Sequence, residues 1–151
     1  NMDDNTKRII LDFMNSNTIL SLSTSISDTP YICNLFYVCD DDLNLYFLSS
    51  KKTRHAQELK DNPKAAVSIY DPASAPGKSV IGLQALGKVS EAKGMELIKM
   101  FKSYLSLFPA TKVNIDMLKQ VSFDSRLFKF KPDVIYFMDK SHFEKRQEVI
   151  L

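Results

Sequence analysis

Leu43-Asn-Leu-Tyr-Phe-Leu-Ser-Ser-Lys-Lys-Thr-Arg-His-Ala-Gln-Glu-Leu-Lys-Asp-Asn-Pro63 reads as a strand that runs directly into a helix. The apolar run Leu45 to Leu48 gives the strand. Hydroxyls follow at Ser49, Ser50 and Thr53, interleaved with Lys51, Lys52, Arg54 and His55, which are or can become cationic. The helix carries Ala56 and Leu59 inward, and Asn62-Pro63 stops it. Unpaired backbone N–H groups at the helix start, the positive end of its dipole and the side-chain charges converge on one point, which suits a phosphate-sized anion. The same residue types also suit a capped, solvated helix start, so the pattern alone leaves both readings open.

On the N-terminal side, Lys7 to Met14 places Ile9, Ile10, Phe13 and Met14 on one helical face. Thr18 to Thr24 alternates Leu20 and Leu22 with serines, a half-buried strand, and Ser27-Asp-Thr-Pro30 is a turn. Tyr31 to Cys39 reads as a second strand, and Asp40-Asp-Asp42 turns it into the third as a hairpin. On the C-terminal side come a short strand from Ala65 to Tyr70, a loop over 71–79 and a long strand from Val80 to Glu91. Gly82 and Gly87 in that strand signal bulges or close backbone approach. Lys93 to Phe108 is a helix with the stripe Leu97, Ile98, Phe101, Tyr104, Leu105 and Phe108, ended by Pro109. Leu127 to Lys131 alternates, Pro132-Asp133 turns, and Val134 to Met138 closes the set. About six strands and three helices imply one mainly β (α+β) domain over 1–151, a closed antiparallel barrel with helical additions. The segment from His142 to Leu151 is charged and then apolar, as a segment packing on a partner would be. Asn1, which precedes Met2, is read as a cloning remnant.

The 151 residues are 44% hydrophobic and 25% charged, values for one compact domain. A net charge of +2 with mixed signs gives no basic stripe for nucleic acid. No apolar run approaches the roughly 20 residues that cross a bilayer, and no signal-peptide pattern opens the sequence, so a cytoplasmic protein is expected. Cys33 and Cys39 lie in one extended segment, roughly 20 Å apart at about 3.3 Å per residue, and are expected as free thiols. His55 and His142 lack neighbours at metal-ligand spacing, so no metal site is expected. Pro76-Gly-Lys-Ser79 copies the end of a nucleotide-binding loop but lacks its first glycine, Pro72 standing there, and leads into a strand. No Gly-x-Gly-x-x-Gly is present, and Asp40 to Asp42 reads as a solvated turn.

Within this frame the chain resembles the pyridoxamine-5′-phosphate-oxidase-like group of FMN-binding split barrels, and within it a small uncharacterised bacterial branch. The resemblance rests on Leu45-Tyr-Phe-Leu-Ser-Ser50, Thr53-Arg54-His55, the helix to Asn62-Pro63 and Ala65-Ala-Val-Ser-Ile69. Asn34-Leu-Phe-Tyr37, Lys52-Thr-Arg-His-Ala-Gln57 and Gly82-Leu-Gln84 ahead of Gly87 add the branch. The resemblance implies a six-stranded antiparallel split β-barrel with flanking helices, and a homodimer with FMN at the subunit interface. Thr53 and Arg54 match the pair that holds the FMN phosphate, and His55 stands where the oxidases carry a lysine. Ser49 and Ser50 match positions along the isoalloxazine ring, and Gln84 lies two positions from a ring-contacting glutamine.

Two departures are informative. Ile32 to Val38 lacks the Arg and Lys that the oxidases place on that strand, so Arg54, Lys51 and Lys52 carry more of the phosphate charge. The C-terminal signature for pyridoxamine phosphate is absent, which argues against vitamin B6 oxidation. The leading expectation is an FMN-dependent oxidoreductase of unstated substrate, in which the flavin carries the chemistry and no catalytic dyad is required of the protein. The alternatives are a non-catalytic binder of FMN or of another flat cofactor (haem, deazaflavin), and a basic patch from Lys51 to His55 that meets RNA or an acidic partner.

Overall fold

A computed structural model of the chain describes residues 2–107 and 123–151. Asp3 caps the first helix, α1 (Asp4–Ser16), by accepting from the Thr6 N–H at 2.7 Å. Strands β1 (Ile19–Ile26) and β2 (Thr29–Phe36) follow as a hairpin. Its loop residues Ser27 and Asp28 both take positive φ, 48° and 61°, which matches the right-handed twist of the flanking strands. Then come β3 (Val38–Cys39), β4 (Leu45–Ser50), α2 (Arg54–Asp61), β5 (Lys64–Tyr70), β6 (Gly82–Glu91), α3 (Gly94–Leu105), β7 (Ser125–Met138) and β8 (Gln147–Ile150).

The sheet order is β2-β1-β5-β6-β7-β4-β3, with β8 also on β7, and every pairing is antiparallel. β2 and β3 stand at opposite ends of that order, yet only Tyr37 separates them in the chain. A flat sheet of this order would hold them about 29 Å apart, at roughly 4.8 Å per step. One residue reaches about 3.5 Å, so the sheet curls until its ends meet. The result is the split barrel. Tyr37 pins the junction: its N–H donates to the Thr18 carbonyl at 3.0 Å, and its buried hydroxyl donates to the Met14 carbonyl at 2.7 Å.

Four expectations change. The segment Tyr31 to Cys39 is two strands, because Tyr37 turns inward; β2 pairs along β1, and only Val38 and Cys39 pair with β4. Pro132-Asp133 is no turn but a bulge within β7, where Gly87 faces Pro132, Leu86 faces Val134 and Asp133 is left over. The strand count among the described residues is therefore eight, two of them short, and not six. The C-terminal segment adds β8 to the sheet, with Val149 in the core and Ile150 exposed. The stripe on α3 is also rotated: Met100 and Tyr104 point inward while Ile98 is 63% exposed. The expected Phe108 and Pro109 of that helix lie outside the described residues.

The barrel interior holds Leu20, Leu22, Phe47, Ile69, Phe130 and Phe137, closed at one side by Ile10, Phe13 and Met14 of α1. A second cluster of Val38, Tyr46, Met100, Tyr104 and Leu127 lies under α3. β4 is buried on both faces: Leu45 and Phe47 enter the first cluster, Tyr46 enters the second, and Leu48 packs against it. Hence its sequence is a continuous apolar run rather than an alternating one. Each fully buried aromatic there contributes about 1.5–3 kcal/mol. β4 thus has a fixed C-terminal end, and the candidate site begins at that end.

Candidate functional site

Ser49 continues the inward face of β4, and Thr53 caps α2. The Thr53 oxygen accepts from the Ala56 N–H at 3.3 Å, and its hydroxyl donates to the Ser50 carbonyl at 2.9 Å. The Ser50 carbonyl also accepts from the Thr53 N–H at 3.2 Å, and the Ser50 side chain accepts from the Lys52 N–H at 3.1 Å. These bonds fold residues 50–53 into a tight turn. The backbone N–H groups of Arg54 and His55, which open the helix, have no acceptor among the described residues.

His55 turns inward. It is 6% exposed, packs edge-on to the Phe47 ring at 6.3 Å, and meets Ser49 Oγ at 2.6 Å and Thr53 Oγ1 at 3.2 Å through Nε2. Burial pushes its pKa below the ordinary value of 6.5, only partly opposed by the charge of Glu58. At neutral pH the imidazole is therefore neutral and fixes the turn by hydrogen bonding.

Arg54 turns outward and is held from two sides. Its Nε donates to Glu58 at 3.2 Å, and its guanidinium carbon lies 4.4 Å above the Tyr31 ring of β2. The terminal guanidinium nitrogens have no partner among the described residues, so a planar fork is presented beside the helix start. Lys51 and Lys52 diverge from it. Lys52 Nζ pairs with Asp124 at 3.0 Å, and the Lys51 N–H donates to the Asp124 carbonyl at 2.9 Å. Both lysines line a cavity of about 600 Å3 floored by Ala56, Leu59, Val89 and Phe128.

Gln84 is separate again. It stands on the outer face of β6, opposite Ser68 and Tyr136, and its carbonyl oxygen accepts from Arg146 at 3.4 Å. It lines a groove of about 280 Å3 with Ile32, Leu86 and Arg146. The fold therefore joins Ser49, Ser50, Thr53 and His55 into one hydrogen-bonded turn with Arg54 at its edge. Lys51, Lys52 and Gln84 face other surfaces. Sequence reasoning missed Tyr31, Glu58 and Arg146. Glu58 stands four residues after Arg54 on one helix, a readable pair; Tyr31 and Arg146 reach their places only through the sheet.

Residues 7–139 match the family model described as pyridoxamine 5′-phosphate oxidase. The chain belongs to that family. Within it, the chain is 25% identical over 124 residues to a UPF0306 protein of Klebsiella pneumoniae, covering 82% of this chain and 78% of the relative. This agrees with the small bacterial branch. Among solved structures the family fold recurs in HutZ, the haem storage protein of Vibrio cholerae. That match has a TM-score of 0.69 and 17% identity, and covers 86% of this chain and 92% of that one. It recurs also in an FAD-binding protein of Mesorhizobium loti, with a TM-score of 0.64 and 15% identity, covering 85% and 88%. At such identities these likenesses show the fold. No helix among the described residues is long and apolar enough to cross a membrane.

Proposed function

We propose that this chain binds FMN as a homodimer and serves as a flavin-dependent oxidoreductase, with the phosphate seated at the start of α2. The observation that carries the reading is Arg54. In a chain of this family, its guanidinium is held by Glu58 and Tyr31 beside two backbone N–H groups that lack acceptors among the described residues. A phosphate supplies acceptors for all of these donors at once. Thr53 holds the turn that aims them, and Ser49 and Ser50 set the strand end along which the ring would lie. Lys51 and Lys52 add longer-range charge. When bound, FMN supplies hydride or electron transfer, and the residues named here bind and orient it.

The outer face of β2, β1, β5 and β6 supports the second copy. The strand registers bring Ile19 beside Phe36, Ser23 beside Ile32 and Ala66 beside Leu86 on that face. Ile32 is 66% exposed and Leu86 50%, with Ile19, Phe36 and Tyr70 exposed around them. An apolar rim of this kind is what a dimer buries. Gln84 lies within the face and would meet the cofactor across the interface.

Haem is the second reading, favoured by the absence of Lys and Arg from Ile32 to Val38 and by the fold shared with HutZ. The test is a visible spectrum of the purified protein after incubation with FMN, or with haemin, and desalting. Retained flavin absorption supports the first reading, and a Soret band with no retained flavin supports the second.

A further inference from the structure

A cavity of about 730 Å3 lies between the C-terminal half of α1, the end of β5 and the turn after β7. On that turn Asp139, 7% exposed, accepts through one oxygen from the Ser141 N–H at 2.9 Å and the Ser141 hydroxyl at 2.6 Å. His142 Nδ1 meets its other oxygen at 2.8 Å. Burial alone would raise this carboxyl, but the hydrogen bonds from Ser141 and His142 outweigh it and hold the group below the usual carboxylate range. An ionised carboxylate accepts only, so the shared proton rests on Nδ1, and Nε2 is the nitrogen left for a ligand. Phe143, next in the chain, packs at 6.1 Å on Phe137 of the core, which fixes the turn.

His142 is thus an oriented imidazole on the wall of a cavity. Ile9, Phe13 and Ile81 give that cavity an apolar side, Asp12 and Asp71 give it negative charge, and no Lys or Arg is among its described lining residues. Its electrostatics are opposite to those at the start of α2.

We propose that this cavity binds a small organic cation with an apolar body, which donates an N–H to His142 Nε2 while Asp12 and Asp71 balance its charge. A phosphorylated or carboxylate ligand would meet the like charge of Asp12, Asp71 and Asp139 there, with no Lys or Arg among the described lining residues to offset it. The cavity also takes Ile19 and Tyr70 from the edge of the outer sheet face given above to the second copy. The titration needs no added cofactor, so a failure of FMN binding leaves this assignment standing.

With two histidines in the chain, ring NMR resolves His142, and buried His55 serves as the internal control. The probes are phenethylamine, phenethyl alcohol and phenylacetate. We expect the amine to shift the His142 ring signal saturably without moving His55. The alcohol should bind at least about tenfold more weakly, and phenylacetate should give no saturable shift. Asp12→Asn combined with Asp71→Asn should weaken the amine about tenfold. Asp71→Asn keeps a side-chain oxygen for the Ala73 N–H, which donates to Asp71 Oδ1 at 2.8 Å. Equal shifts by all three probes, or no saturable shift by the amine, overturn the proposal, and this comparison stands on the unmodified protein even if the variant fails to fold.

Discussion

Arg54 and His55 are adjacent, yet the fold sends them to opposite sides of one turn, and that separation sets their different tests. For Arg54, a charge-assisted phosphate contact contributes about 1.5–3 kcal/mol, so Arg54→Ala should weaken FMN binding by about 10- to 150-fold with unchanged thermal unfolding. Arg54→Lys should recover little of this, because a lysine lacks the planar fork that stacks on Tyr31. Titration of each variant by flavin fluorescence quenching measures both. For His55, the folded pKa lies below the ordinary 6.5, so the unfolded chain binds the proton more readily. Its contribution to stability is full above that value and is lost as pH falls from it toward the folded pKa. His55→Gln keeps a hydrogen-bonding group for Ser49 but does not titrate, so its melting temperature should lack that part of the decline. Parallel melting curves of the two proteins between neutral and mildly acid pH show whether the slopes differ.

At the scale of elements, the cap and the bulge position the site. Thr53→Ala removes the acceptor for the Ala56 N–H and should cost about 1 kcal/mol in denaturant unfolding, with Thr53→Ser near wild type. Gly87 sits where β6 crosses the bulge of β7. A Cβ there would fall 2.2 Å from the Lys131 carbonyl oxygen, and backbone cannot yield as a flexible side chain does. Gly87→Ala should therefore destabilise the protein by about 1–3 kcal/mol in the same measurement. The spare Asp133 carbonyl at this bulge accepts from the Leu151 N–H at 3.0 Å, so the chain end supports the irregularity. Pro132 was visible in the sequence as a breaker. A missing donor, however, looks the same in a turn and in a bulge until the partner strand is known.

For the whole molecule, Ile32→Asp tests the outer sheet face. It should convert a dimer to monomer in sedimentation and should lower FMN retention with it, since the proposed ring site needs both copies. The same scale shows what was legible from one sequence. Between Leu45 and Pro63 the cap, helix and stop stand where the sequence puts them, because they are local chemistry, while the strand runs two residues past Leu48 to Ser50, carried by its pairing with β7. The orientation of α3 was not, because Leu97, Ile98, Met100 and Phe101 offer several apolar faces and only the Val38–Tyr46 surface selects Met100.

The sequence by itself determined the mainly β class, the capped helix start with its hydroxyls and cations, and the resemblance that led to the family. All three rest on residue type and short spacing, which local backbone physics reads directly. Tertiary structure alone decided that β2 and β3 close a curled sheet, that His55 is neutral and inward while Arg54 rests on Tyr31, and that Asp139 and His142 face a cavity with Asp12 and Asp71. Those outcomes depend on which distant strands pair and which groups lose water, and neither is encoded in any single stretch of the chain.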